Sequence, residues 1–291
     1  MIIKSASTLS AIVSQASEIA DSWLASPDGP QELWYRGHGL SNYQLVPSLY
    51  REDNMGFADV ESSVVYRFTS LAHPLTQHEF SDWEWYFLAR HHSIPTRLLD
   101  WTESLIVAVR FALADYCATL GDRNTLDQER RKKPKASIFD EISPCVWVLE
   151  AGTLNHFTMG EDATLIPGDE TTNVYLPDRL KPQRKRSRFP IAIAPLRSNP
   201  RLAAQRGAFT LHGSDRRPLE HLLGKRSGPK QASERGKHRQ EVLLAKIILD
   251  RSRLAHLVHE LEIAGVDRFG LFPDLDHVGE QAKWEYKQSG A

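Results

Sequence analysis

The sequence has few cysteines, almost no net charge and no long hydrophobic run. Cys117 and Cys145 are the only two cysteines among 291 residues. Their apolar neighbours predict that both are reduced and buried in a cytoplasmic protein, without a disulfide framework. A formal net charge of -1 provides no overall field that would steer a charged ligand. The apolar stretches are too short to span a membrane, and the N-terminus lacks a signal-peptide pattern, so we expect neither membrane association nor a leader.

Motifs of several well-known folds are absent as well. The chain has no phosphate-binding P-loop and no Gly-x-Gly-x-x-Gly, which argues against an ATPase or a Rossmann domain. It has no Gly-x-Ser-x-Gly elbow, which argues against an α/β hydrolase. No helix-turn-helix, zinc-finger or RNA-recognition signature supports sequence-specific reading of a nucleic acid.

The most distinctive segment that is present is a polar string between two amphipathic stretches. Residues 91–102 read His-His-Ser-Ile-Pro-Thr-Arg-Leu-Leu-Asp-Trp-Thr. A hydrophobic core rarely contains so many polar groups in a row. Polar groups that a rigid turn holds between two helices can converge on a ligand. We therefore interpret this string as part of a binding or catalytic site.

Hydrophobic periodicity predicts strands and helices without a regular parallel alternation. With 41% hydrophobic residues, this pattern favours a single mixed α+β domain over residues 1–291, with central strands surrounded by helices. Polar composition predicts exposed insertions at 121–137 and 213–240. The predicted helices span residues 8–24, 57–71, 79–91, 103–118 (with Thr102 as N-cap), 219–223 and 251–264, and the predicted strands span 33–36, 144–150, 191–194, 208–211 and 242–249.

Four motifs follow one another along the chain. They are the triplet Tyr35-Arg36-Gly37, the string at 91–102 with Phe111-Ala112 after it, the downstream set Arg201, Gln205, Gly207 and Phe209, and the ending at 271–276. Together they resemble the FRG-domain family, which is named for an aromatic-Arg-Gly triplet. The resemblance extends from about residue 33 to residue 284 and comes with no settled reaction. Ser93 stands where the family usually has glycine, so a positive φ at this position would strain the serine.

The layout is also similar to that of ADP-ribosyltransferases of the Arg-Ser-Glu type. In this second resemblance, the triplet with Arg36 is the first element, and Asp100-Trp101-Thr102 stands in place of the Ser-Thr-Ser of the second. The strand that follows Glu241 is the third element. The resemblance implies a split central sheet and NAD as the substrate, bound between Arg36, the turn at 95–102 and Glu241.

Two arginines are candidate ligand contacts. Arg36 offers a planar fork that matches phosphate, beside glycines that let the backbone approach a ligand, or it is a structural arginine paired with an acid such as Asp100. Arg97 and Asp100 either form an ion pair that pins the motif, or Arg97 contacts phosphate while Asp100 orients a histidine. The remaining candidate cofactor-binding residues are Gly37, His38, Thr96, Trp101, Thr102 and Gln205.

Four side chains could take part in chemistry. His91 and His38 are candidate proton carriers or ligand hydrogen-bonding groups, since imidazole titrates near neutral pH, or they are structural. Glu241 would stabilise an oxocarbenium-like transition state or act as a base, or it is an exposed residue at the start of a strand. Gln205 could hydrogen-bond an amide or base edge, or cap a turn. We expect no metal site, because no cysteine joins the histidines at 73, 78, 91 and 92.

Two basic segments suggest a partner. Arg179 to Arg206 contains no acidic residue, and the loop from Arg216 to Arg239 has more basic than acidic residues. They are either a nucleic-acid surface or solvated loops. The leading hypothesis is an NAD-dependent ADP-ribosyltransferase whose acceptor is a nucleic acid, in a toxin or phage-defence role implied by the resemblance alone. The alternatives are a non-catalytic nucleotide- or nucleic-acid-binding module and a metal-independent nuclease. No antitoxin or immunity partner can be identified.

Overall fold

The computed structural model describes residues 1–23, 32–51, 58–76, 78–121, 142–180, 187–195, 200–222 and 243–266, together with Leu271, Gly279 and Tyr286. Within these residues no helix is long and apolar enough to cross a membrane. The strands are β1 (Ile2–Ala6), β2 (Leu33–His38), β3 (Leu98–Thr102), β4 (Cys145–Glu150), β5 (Ile191–Ile193), β6 (Gly207–Leu211) and β7 (Leu244–Leu249). The helices are α1 (Leu9–Trp23), α2 (Ser48–Arg51), α3 (Ala58–Ala72), α4 (Asp82–His91), α5 (Leu105–Gly121), α6 (Ala151–Met159), α7 (Glu170–Asn173), α8 (Pro200–Ala204), α9 (Leu219–Leu222) and α10 (Leu254–Ile263), with 3-10 turns at His73–Leu75 and Arg251–Arg253.

The described strands form one sheet in the order β1-β7-β4-β2-β3-β6-β5. β1 pairs with β7 in parallel, and the other neighbouring strands are antiparallel. β2 pairs with β4 at six positions and β3 pairs with β6 at five, but β2 and β3 share only the pair Tyr35 and Thr102. The predicted mixed α+β architecture is therefore confirmed, and the sheet consists of two halves with a narrow junction.

Apolar layers cover both faces of the sheet, as β4 shows most clearly. Val146 and Val148 face a cluster formed by α1, α5 and α10. Trp147 and Leu149 face the opposite cluster, which also contains Trp34. Successive side chains of a strand point to opposite faces, so a strand covered on both faces has a continuous apolar sequence.

Helix α5 lies directly against β2, and glycine makes this approach possible. A Cβ at Gly37 would lie 2.1 Å from the carbonyl oxygen of Ala108 and 2.4 Å from the nitrogen of Ala112. A Cβ at Gly39 would lie 2.6 Å from the backbone of Asp115. The expectation that these glycines admit a ligand thus needs correction, because the space that they leave is filled by the backbone of α5.

Several local predictions are wrong in detail. Thr102 belongs to β3 and does not cap α5; the amide of Val107 lies 3.4 Å from the hydroxyl of Ser104, which takes the N-cap role. The second half of the polar string, predicted as a turn, is a strand, because it pairs with β6. β1 and α6 were not predicted at all. Of the two cysteines, Cys145 is buried as predicted and burial raises the pKa of its thiol to about 12, whereas Cys117 is exposed.

The predicted insertions are described only at their edges. Leu219 and Leu222 are buried against the core, so the first ten residues of the predicted insertion at 213–240 include a packed helix. Residues 122–137 and 223–240 lie outside the described residues.

Candidate functional site

A cavity of about 1550 Å³ lies at the junction of β2 and β3. Its wall includes residues 35–38 of β2 and 100–102 of β3, joined by the segment around α2 and by one side of α4. Because β2 and β3 pair at only one position, the rest of each strand is not hydrogen-bonded to the other across this junction. The residues of β2 and β3 next to the junction carry polar side chains. Eight of the predicted site residues line the cavity: Arg36, Gly37, His38, His91, Asp100, Trp101, Thr102 and Gln205.

Arg36 is the central cation of this cavity. Its Nε donates a hydrogen bond to His38 Nε2 at 2.9 Å, and its Nη1 donates to the backbone carbonyl of Asp100 at 2.5 Å. Among the described residues, Nη2 has no hydrogen-bond partner. The side chain of Arg36 is 17% exposed. One edge of the guanidinium is therefore available for a ligand while the rest of the group is fixed.

Asp100 connects Arg36 to a second arginine. Its carboxylate accepts from Arg90 Nη2 at 2.5 Å and from Arg90 Nε at 3.3 Å, and it lies 3.7 Å from Arg36 Nη1. Arg90 Nη1 also lies 3.2 Å from the hydroxyl of Ser48, which acts as its acceptor. The two guanidinium groups share one carboxylate, so this cluster has an excess of positive charge.

The electrostatics agree with that charge count. Burial, opposed by Asp100 but reinforced by Arg90 and by Arg51, lowers the pKa of Arg36 to about 10. Burial disfavours the charge of Asp100, but the charge and hydrogen bonds of Arg90, followed by the charge of Arg36, lower the pKa of this carboxyl. Both groups are charged at neutral pH. An anionic ligand would relieve the repulsion among the arginines.

His38 is fixed beside Arg36 as a neutral ring. Burial and the charge of Arg36 lower the pKa of His38 well below its usual value, although a hydrogen bond to the backbone of Tyr43 opposes this. The Nε1 of Trp147 lies 3.3 Å from the Nδ1 of His38. A ring with so little tendency to take up a proton is poorly suited to be a general acid near neutral pH.

Arg97 and Thr96 lie outside the cavity lining and are fully buried. Arg97 pairs with Glu61 through Nε at 2.5 Å and donates to the carbonyls of His212 and Tyr175. Of the two alternatives for Arg97, the ion pair with Asp100 is not the one formed, because Arg97 pairs with Glu61. Arg97 and Thr96 have no exposed face, so neither side chain reaches the cavity in this structure.

The other predicted residues form two smaller groups. Thr102 Oγ1 donates to the carbonyl of Gln205 at 2.6 Å, and the side-chain amide of Gln205 donates to the carbonyl of Leu271 at 3.0 Å. These contacts join the end of β3 to the start of β6 at the cavity wall. Trp101 donates from Nε1 to the hydroxyl of Thr210, and His91 lies at the end of α4 with its ring 5.0 Å from that of its neighbour.

Glu241 lies outside the described residues. The first described residue after it, Leu243, accepts from the amide of Glu150 through its carbonyl and donates to the hydroxyl of Thr153. Glu150 is the register partner of Leu33, whereas the cavity lining on β2 begins two residues later, at Tyr35. The described chain that leads toward Glu241 thus lies at the end of β2 away from His38.

Sequence reasoning missed Arg90, Ser48 and Arg51. Arg90 stands immediately before the polar string on a predicted helix, so its charge next to that string was an available signal. Ser48 and Arg51 belong to a segment without a distinctive motif. Only the fold brings Arg51 to the cavity and Ser48 to Arg90.

The described arginines of the two basic segments are largely paired with acids. Arg179 lies 3.0 Å from Asp82, Arg206 lies 3.6 Å from Glu103, and Arg217 lies 2.6 Å from Asp215. Arg216 lines the cavity and stacks over the ring of Tyr50. Arg179, Arg206 and Arg217 thus each have an acidic neighbour, and nucleic-acid binding by the two segments stays a prediction. In the part of the chain that the structure describes, no group of three or more His, Cys, Asp or Glu side chains could hold a metal ion.

Comparison with known proteins identifies one family. The family model of the FRG domain matches residues 31–119, which contain β2, the polar string and most of α5. No match was found among curated proteins or among solved structures. Residues 31–119 therefore resemble an FRG domain.

Proposed function

We propose that the cavity binds NAD and that the protein is an ADP-ribosyltransferase-like enzyme. The observation that carries the proposal is Arg36, a mostly buried cation at the junction of β2 and β3 with one free donor edge beside Arg90. Such a group matches a phosphate, which accepts charge-assisted hydrogen bonds from a guanidinium fork.

The dimensions and walls of the cavity also support a dinucleotide. At about 1550 Å³ it exceeds the roughly 300–1000 Å³ that is usual for a small-molecule site, which leaves room for part of an acceptor. Aromatic side chains line it next to the charged cluster. Phe87 stacks on Phe209 with ring centroids 5.1 Å apart, and Phe209 is the register partner of Asp100.

The proposed reaction transfers ADP-ribose. The bond between the ribose C1′ and nicotinamide breaks, and its electron pair leaves with nicotinamide. An acceptor oxygen or nitrogen then attacks C1′ and loses its proton. Arg36 would hold the pyrophosphate and so orient the scissile bond. Glu241 would stabilise the cationic ribose, a role that rests on the resemblance and not on its position.

The test is nicotinamide release from NAD by the full chain, with and without DNA and RNA. We expect release by the wild type and a loss of at least about 100-fold in Arg36→Ala, a magnitude typical of a lost electrostatic contact. Arg67→Ala is the matched control, because Arg67 is exposed on α3 and does not line the cavity. Dependence on DNA or RNA would identify a nucleic-acid acceptor. Equal release by Arg36→Ala and the wild type would refute the proposal.

A non-catalytic nucleotide-binding module is the second candidate. The position of Leu243 favours it, since this residue lies beside Glu150 at the Leu33 end of β2, which is the end away from His38. Three results together would establish this alternative. The protein would bind NAD in a way that depends on Arg36, it would release no nicotinamide, and Glu241→Gln would leave the affinity for NAD unchanged. A nuclease that uses His38 as an acid is disfavoured by the neutral state of that ring. A toxin or phage-defence role in the cytoplasm is implied by the resemblance only.

A further inference from the structure

Arg36 is held mainly by neutral acceptors. The ring nitrogen of His38 and the backbone carbonyl of Asp100 accept its Nε and Nη1 protons at 2.9 and 2.5 Å. The carboxylate of Asp100 lies farther away, at 3.7 Å, and is bound at both oxygens by Arg90. The guanidinium plane is therefore fixed by two short hydrogen bonds that bring no negative charge.

The local fold explains why His38 can take this role. Residues two apart on a strand share a face, so His38 lies beside Arg36 on β2. The side chain is buried, with its ring 6.5 Å from that of Trp147 and 6.2 Å from that of Tyr43. The ring thus has one orientation, with Nε2 directed to Arg36.

We propose that His38 is a positioning residue that orients the Arg36 guanidinium as a neutral acceptor and so leaves its positive charge for an anionic ligand. A carboxylate in the same place would orient the group equally well but would neutralise it. The inference rests on the proposed function only for the identity of the ligand, a nucleoside diphosphate. The anion-binding role of the cluster does not require that any transfer takes place.

Three substitutions separate orientation from charge. In His38→Gln, the amide oxygen can still accept from Arg36 Nε, so we expect affinity for an anionic ligand within about threefold of the wild type. In His38→Leu, the acceptor is lost and the guanidinium can rotate, so affinity falls about tenfold. In His38→Glu, the acceptor is kept but a buried charge pair forms, so affinity falls about 100-fold.

The experiment is calorimetric titration of the full chain with inorganic pyrophosphate and with ADP-ribose. Thermal unfolding of each variant is measured in parallel, together with the NMR signal of the Arg36 Nε proton. We expect this signal to be protected from exchange in the wild type and in His38→Gln and to be lost in His38→Leu. A purely structural role for His38 would instead make affinity follow thermal stability.

The outcomes separate this inference from the proposed function. Affinities in the order wild type, Gln, Leu, Glu without nicotinamide release would sustain the role of His38 and refute the transferase. Nicotinamide release together with equal affinities in all variants would support the transferase and refute the role of His38. His38→Glu binding pyrophosphate as tightly as His38→Gln, or a wild type that binds neither ligand, would overturn the role of His38.

Discussion

Arg36 and Arg97 lie close to the same sheet but in opposite surroundings. Arg97 is fully buried and bound directly by the carboxylate of Glu61, which also accepts from the hydroxyl of Tyr86. Arg36 lies at the cavity wall and is bound at short range by a neutral ring and a carbonyl. In the network around Arg97, a carboxylate balances the positive charge of the guanidinium. In the network around Arg36, the acceptors at short range are neutral, so the positive charge is left for a ligand.

The difference shows how one residue type serves two purposes. A buried cation needs a direct counter-charge and full hydrogen bonding, because the interior does not stabilise charge. A cation at a cavity can be left partly uncompensated, since a ligand or water completes its surroundings. Through Arg97, which directly precedes β3, this network joins α3, α4 and the segment around Tyr175. It thus supports the wall on which Arg90 is placed.

The largest expected effect comes from breaking the buried pair. Arg97→Met leaves Glu61 charged and unpaired in the core, so we expect a loss of about 3–5 kcal/mol in the free energy of unfolding, measured in urea. Adding Glu61→Met should recover at least about 2 kcal/mol, because no lone buried charge remains. A loss below about 1 kcal/mol in the single variant would show that the pair does not support the fold.

The corresponding change at the cavity should separate function from stability. Arg36→Ala is expected to weaken ADP-ribose binding by at least about 100-fold, equivalent to about 2.7 kcal/mol. Its free energy of unfolding should fall by less than half as much as that of Arg97→Met, because the carboxylate of Asp100 stays paired with Arg90 and no buried charge is left alone. Calorimetry and urea unfolding on the same samples test both statements. Equal destabilisation by the two variants would abolish the distinction between the networks.

The histidine next to the buried network predicts a pH dependence. Burial, followed by the charge of Arg97, lowers the pKa of His212 to about 3, and neither ring nitrogen has a hydrogen-bond partner among the described residues. Between pH 6.5 and pH 3, His212 is therefore protonated in the unfolded chain and neutral in the folded chain. Stability should decrease as the pH falls, by about 2 kcal/mol from pH 6.5 to pH 5 for this group.

His212→Phe removes that contribution and the two unpaired nitrogens. We expect it to be more stable than the wild type by about 1 kcal/mol at pH 7. Its unfolding free energy should also decrease less on acidification, with a remaining slope from His38, whose pKa is lowered in the same direction. Identical slopes for variant and wild type would mean that folding does not lower the pKa of His212.

The smallest effect is expected in the turn that separates the two networks. Ser93 lies between Arg90 and Arg97 and has φ of 63°, which costs a residue with a Cβ about 1 kcal/mol relative to glycine. Ser93→Gly should raise the free energy of unfolding by about that amount, whereas Ser93→Ala should not. Ligand affinity should stay the same in both, so any large change would show that this turn takes part in binding.

Much of the fold follows from local sequence patterns. The amphipathic periods of α1, α3 and α4 and the apolar run of β4 predict these elements within a few residues. β1 was missed because Ile2–Ala6 is short and its exposed positions break the apolar pattern. β3 was missed because its polar residues resemble a turn, and only pairing with β6 makes it a strand.

The candidate site was predicted in part. The sequence identified Arg36, His38, Asp100, Thr102 and Gln205, and the structure brings them to one cavity. It could not distinguish Arg36 from Arg97, because both are arginines in conspicuous motifs and the acidic residue nearest to each is distant in sequence. Glu61 lies 36 residues from Arg97, and Asp100 lies 64 residues from Arg36.

The sequence by itself determined the mixed architecture, the family motif and the polar side chains from which a site could be built. These features depend on composition and short-range periodicity. Only the tertiary structure decided which arginine is neutralised in the core and which keeps its charge at a cavity. That assignment depends on which strands are neighbours and on which side chains the sheet junction leaves without a direct counter-charge. Long-range pairing and burial determine both, and neither is encoded in the local pattern.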